Sequence, residues 1–300
     1  MRSVAKRVVL FLLLNVAIIF TISILLTIFN IRPYLTRSGI DYGALLTFCL
    51  IWGFAGSFIS LAMSRLMAKW MMGVEVIDPD TTNPQEQMLL ALVSKLIRRA
   101  GLPKMPEVGI YASPEVNAFA TGPSRSRALV AVSSGLLSKM NSTQVEGVVG
   151  HEISHISNGD MVTMTLLQGV INAFVMFFAR VCALAITRLG RQRESSGSPL
   201  LYSGLVFLFQ ILFMILGAIV VAAFSRFREY RADAGGARLA GREAMVEALV
   251  GLKTMETVED PKAQQTSFQA FKISNRHGLL HLFATHPKIE DRIARLKATR

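Results

Sequence analysis

Four long apolar blocks limit what this chain can fold into. They run from Val8 to Ile31, Tyr42 to Met63, Met161 to Ile186 and Leu200 to Phe224. Each exceeds the roughly 18 residues that mark a helix able to cross a bilayer core, at about 1.5 Å of rise per residue. Four helices buried in water would need a much larger protein around them than 300 residues supply. The hydrophobic fraction of 52% agrees with a membrane solvent. The few polar members, Asn15, Gln168, Asn172 and Gln210, are tolerated inside a helix bundle. The first block is longer than the apolar core of a signal peptide and lacks a small-x-small cleavage site, so it reads as an uncleaved anchor.

The net charge of +12 raises the question of nucleic acid. Many of the basic residues flank the blocks instead (Arg2, Lys6, Arg7, Arg65, Lys69, Arg226, Arg228), where they set topology and meet anionic lipid. No basic stripe interleaved with aromatics is present, so nucleic-acid binding is not expected. The same bias places the N-terminus in the cytoplasm. Two crossings return the chain there at Arg65 and Lys69, and two more leave the tail on the same side. Arg188, Arg191 and Arg193, between the third and fourth blocks, run against this pattern. A membrane-embedded hairpin that does not fully cross is the alternative, and it leaves both polar pieces on one side. The two cysteines, Cys49 and Cys182, lie inside apolar blocks and imply neither a disulfide nor a metal site.

The chain thus divides into an N-terminal transmembrane hairpin (1–72), a first catalytic part (73–160), a second transmembrane hairpin (161–224) and a second catalytic part (225–300). In the first polar piece, Asn83-Pro84 caps an amphipathic helix reaching Gly101. Strand-like runs follow at Glu107–Tyr111, Val116–Thr121 and Ala128–Val132. Asn141 or Thr143 starts the next helix. The tail shows helical stretches at Arg226–Leu239 and Arg242–Met255, a polar stretch at Glu256–Ser267, and a terminal helix starting near Pro287.

The chemistry is concentrated in His151-Glu152-Ile153-Ser154-His155. On a helix, positions four apart share a face, so both imidazoles can reach one ion. Glu152 stands where it can hold a water beside that ion and act as a base. His277 and His281 repeat the spacing without the glutamate and read as an ordinary pair. Catalytic zinc takes three protein ligands, and no further histidine follows His155 at a suitable interval. The best candidate for the third is Glu229, with Asp233 four residues on and on the same helical face. Asp233 can then accept a hydrogen bond from a ligand histidine and fix its tautomer. A solvated acidic face is the competing reading of this pair. It is weakened because the segment emerges directly from the fourth block, as the His151 helix runs directly into the third.

Taken together, these residues resemble the HtpX-type membrane zinc metalloproteases, bacterial relatives of the CAAX prenyl endopeptidases. The resemblance covers nearly the whole chain. It includes Gly-Ser-Phe-Ile-Ser at 56–60, Asn117 to Gly122, His151 to His155 with Asn158-Gly159-Asp160, Glu229 to Asp233, and Thr285-His286-Pro287. It implies an α-helical integral membrane protein with four spans and a cytoplasmic α+β gluzincin-like domain. The implied ligands of one Zn2+ per chain are His151, His155 and Glu229, with Glu152 catalytic. It also implies that Asn117, Ala118, Phe119 and Ala120 form an edge strand for substrate backbone, a recognition mode that makes little demand on side chains. His286 and Arg292 match a pattern near the active site and are assigned to oxyanion or substrate stabilisation.

The expected activity is cleavage of misfolded membrane proteins at the bacterial inner membrane, in envelope quality control and stress response. Unfolded or membrane proteins and the lipid bilayer are the expected partners. A zinc-stabilised scaffold or chaperone, and a processing peptidase with one substrate class, are the alternatives.

Overall fold

The computed structural model describes residues 41–189, 199–255 and 282–298, with Phe20, Thr21, Ile24, Thr27, Ile28, Leu35, Thr36, Gly39 and Ile40. Most of the first apolar block, Arg191 and Arg193, the 256–267 stretch, and His277 and His281 lie outside the described residues. The elements are β1 (Leu35–Thr36), β2 (Gly39–Ile40), α1 (Tyr42–Met72), β3 (Glu75–Val76), α2 (Pro84–Ala100), β4 (Glu107–Tyr111), β5 (Ala118–Ser124) and β6 (Arg127–Ser133). They continue with α3 (Ser134–Lys139), α4 (Ser142–Asn158), α5 (Asp160–Leu189), α6 (Pro199–Ala240), α7 (Arg242–Met255) and α8 (Ile289–Ala298). The chain divides into two compact units, Met1–Ser60 with Met164–Val221, and Leu61–Thr163 with Ala222–Arg300.

The described part of the first unit is mostly apolar helix. Among the described residues three helices, α1, α5 and α6, are long and apolar enough to cross a membrane. At most 28% of the most apolar stretch of any of them is buried within the protein, so most of their side chains need a non-aqueous solvent. Phe174, Phe207, Leu208 and Met214 are each more than half exposed. Where α1 and α5 meet, Leu45, Cys49 and Ala173 are buried together. A Cβ on Gly53 would stand 2.7 Å from the Gly169 carbonyl, so small residues let the two backbones approach. Arg180, in the apolar part of α5, places its guanidinium over the Phe48 ring at 5.5 Å.

The fourth apolar block does not end in a helix break at Phe224. α6 continues to Ala240 as one helix of 42 residues. No proline follows Pro199 within it, and Ser225 is buried rather than solvated. The helical stretch expected at Arg226–Leu239 is therefore the C-terminal third of α6.

The second unit is an α+β domain. Its four strands lie in the order β3-β4-β6-β5, with β4 and β6 parallel and the other pairs antiparallel. Along β6 the side chains alternate between two buried faces. Val132 packs with residues of α2, α3 and α4, and Ala128 and Val130 pack with Ile156 of α4. Leu129 and Ala131 pack on the other face with Ala68 at the end of α1. Asn83 caps α2 through the Gln85 amide, and left-handed Gly101 ends it, as the turn chemistry of those residues dictates. The two-residue β3 and the short α3 carry too few residues for a sequence period and were not expected.

Candidate metal centre

Asn141 starts α4 with a full capping box, accepting from the Gln144 amide while the Gln144 side chain accepts from the Asn141 amide. The helix then buries Val145, Val149, Ile153 and Ile156 against the sheet and its neighbours. That packing face fixes the rotation of the helix, and His151 and His155 turn inward with it, 7% and 8% exposed. α4 stops at Gly159, whose φ of 70° is strained for any residue with a Cβ, and α5 starts at once with Asp160.

Glu229 reaches this point from α6 and is 0% exposed. His151 Nε2 and His155 Nε2 are 3.1 Å apart. His151 Nε2 lies 3.3 Å from Glu229 Oε2, and His155 Nε2 lies 3.4 Å from Glu229 Oε1. Ligands bound tetrahedrally at about 2.0–2.1 Å stand about 3.3 Å apart, so the spacing of the three side chains suits a tetrahedral metal site. Glu229 Oε2 is buried and makes no hydrogen bond among the described residues. The groups that face the carboxylate are basic: the Arg292 guanidinium 3.9 Å from Oε2 and Arg228 Nη2 3.0 Å from Oε1.

Each histidine has its own carboxylate behind it. His151 Nδ1 is 3.0 Å from Asp233 Oδ1, and His155 Nδ1 is 2.6 Å from Asp160 Oδ2. With both Nδ1 atoms donating, both Nε2 lone pairs face the same point, as two metal ligands require. Burial disfavours a charged His151, yet the carboxylates of Asp233 and Glu229 outweigh it and raise its pKa to about 9. The pocket therefore favours positive charge, and its donor set suits a divalent metal.

Asp160 belongs to a run already noted for its resemblance, but sequence reasoning gave it no role. It is 0% exposed and also accepts from Arg231 Nη2. The available signal was chemical: two ligand histidines call for two acceptors, and Asp233 serves only one.

Arg292, expected in oxyanion or substrate stabilisation, reaches the site from α8. It is 3% exposed and grips Asp233 with Nε to Oδ2 at 2.8 Å and Nη2 to Oδ1 at 2.6 Å. Burial opposes its charge, and the Asp233 carboxylate more than restores it, so its pKa is raised above the ordinary arginine range. His286 does converge on the site, with Nδ1 3.0 Å from Glu229 Oε2. Glu152 is half-buried beside His151 on α4. Asn117 precedes β5; its backbone N–H donates to Ser133 Oγ at 3.1 Å and its carbonyl accepts from the Ser133 N–H at 2.9 Å. Ala118, Phe119 and Ala120 are in β5, which among the described residues ends the sheet with β6 as its neighbour and packs beside α4.

The sequence matches the family model described as "Peptidase family M48" over residues 83–300. It is 52% identical over 300 residues to "Protease HtpX homolog" of Bacillus licheniformis, covering 98% of this chain and 99% of that protein. It is 48% identical over 295 residues to "Protease HtpX" of Thioalkalivibrio sulfidiphilus, with the same coverage. Among solved structures it superposes on that of S. mikatae Ste24p with a TM-score of 0.64 at 14% identity. That likeness is one of fold, and the alignment covers 98% of this chain but 65% of the Ste24p chain.

Proposed function

Since this chain belongs to peptidase family M48 and is a membrane-bound metalloprotease, we propose that it is a zinc endopeptidase acting on misfolded or damaged membrane proteins at the cytoplasmic face of a bacterial inner membrane. The single observation that supports this best is the tetrahedral spacing of His151, His155 and Glu229 with Glu152 beside them. Zinc held by these three would supply the positive charge that acidifies a water and polarises a peptide carbonyl. Glu152 takes the proton from the attacking water and hands it to the departing amine. Asp233 and Asp160 keep the two Nδ1 protons in place, so the ligand nitrogens stay unprotonated. Arg292 holds Asp233 and is a positioning residue in this scheme. His286 donates toward the oxygen of the tetrahedral species, where charge develops.

Substrate enters as an added strand. The outer edge of β5 around Ala118 to Ala120 offers main-chain groups, with Asn117 at its start, and an extended peptide pairs there with little demand on its sequence. That suits a protease of unfolded chains and a role in envelope quality control and stress response. The catalytic parts are residues 73–160 and 225–300, joined through the membrane helices.

The test uses the purified full chain in detergent with unfolded casein. Removing metal with a chelator should stop cleavage and added zinc should restore it, at one zinc per chain. His151→Ala should lose zinc and activity together. Cleavage that survives complete metal removal would overturn the proposal.

A further inference from the structure

One face of α6 holds the segment that carries His286. Arg226, Glu229, Tyr230 and Asp233 are spaced so that they lie along one side of the helix. Arg226 Nη1 donates to the Leu282 carbonyl at 3.1 Å and to the Ala284 carbonyl at 2.7 Å. Glu229 meets His286, Tyr230 lies under the Arg295 guanidinium at 4.7 Å, and Asp233 holds Arg292. The last three contacts fall on His286 and α8. The Arg226 contact falls on the stretch just before His286, where Leu282 and Phe283 lie in a 3₁₀ turn and Ala284 to Lys288 follow without helix or strand.

We propose that Arg226 is a positioning residue for the reaction: by binding the carbonyls of Leu282 and Ala284 it fixes the backbone that delivers His286 to the reacting oxygen. The two carbonyls stand four and two residues before His286, so a single guanidinium nitrogen restrains the approach from two points. Arg226 is one helical turn before Glu229, which ties the position of His286 to that of a metal ligand through the same rigid helix. Misplacement of a donor by about 1 Å can cost on the order of a hundredfold in rate, so this restraint carries catalytic weight without touching substrate. The inference rests on the oxyanion role given to His286 above.

The test is a double-mutant cycle on the zinc-loaded full chain in detergent, with a self-quenched labelled casein as substrate. His286→Ala and Arg226→Ala should each lower kcat by about a hundredfold, the loss expected for one oxyanion donor, with KM little changed and zinc still at one per chain. The double variant should be no slower than His286→Ala alone, because Arg226 acts through His286. A multiplicative loss in the double variant, or loss of zinc in Arg226→Ala, would overturn the inference while leaving the role of His286 standing. Full activity in His286→Ala would remove the role of His286 and the inference with it. If Arg226→Ala does not fold, Arg226→Gln in the same cycle, which keeps a shorter donor, is read by the same criteria.

Discussion

Asp160 and Asp233 meet His155 and His151 from different helices, yet only one of them could be read from the sequence. Asp233 stands four residues after Glu229, and a shared helical face follows directly from that spacing. Asp160 stands five residues after His155 and beyond the left-handed Gly159, where the helical period no longer says which way a side chain points. The pairing of Arg292 with Asp233 was hidden for a related reason. Its partner Asp233 is 59 residues away, and no local pattern reports a contact at that separation. The geometry gives the two aspartates equal weight, so Asp160→Asn and Asp233→Asn should each weaken zinc binding by about 10–100-fold. Competition with a chromophoric chelator measures this. An unchanged zinc affinity in Asp160→Asn would show that the His155 tautomer is held by something else.

At the scale of elements, the distance between α4 and α6 sets the site. A Cβ on Gly235 would fall 1.9 Å from Ser154 Oγ and 2.8 Å from Ser154 Cβ. A Cβ on Gly236 would fall 3.1 Å from the His151 amide nitrogen. Gly235→Ala should therefore push the Glu229 helix off the His151 helix, cost about 1–3 kcal/mol of stability and lower zinc occupancy. Adding Ser154→Gly should recover both. Thermal unfolding with zinc analysis tests the pair, and a Gly235→Ala protein with normal melting and full zinc would place the spacing elsewhere. The helices and the longer strands were legible because caps and periodic burial act locally, as Asn83, Gly101 and Asn141 show. The continuity of α6 was not. The change from apolar to charged residues near Phe224 marks a change of solvent, and a helix backbone satisfies its own hydrogen bonds on both sides of such a boundary.

For the whole molecule, the apolar surface of α1, α5 and α6 requires a membrane, and the basic residues beside the blocks argue for a cytoplasmic catalytic domain. A cysteine placed at the exposed Ser126, in a chain without Cys49 and Cys182, should resist a membrane-impermeant thiol reagent in intact cells and react after lysis. Reaction in intact cells would reverse the orientation. The central claim is that this membrane protein cleaves peptides with Glu152 as base at a zinc site made by His151, His155 and Glu229. The measurement that tests it most directly is casein cleavage by Glu152→Gln beside the unaltered chain, both in detergent and both assayed for zinc. Glu152→Gln should hold one zinc per chain and cleave at least about a hundredfold more slowly. Full cleavage by Glu152→Gln at equal zinc content would contradict the account.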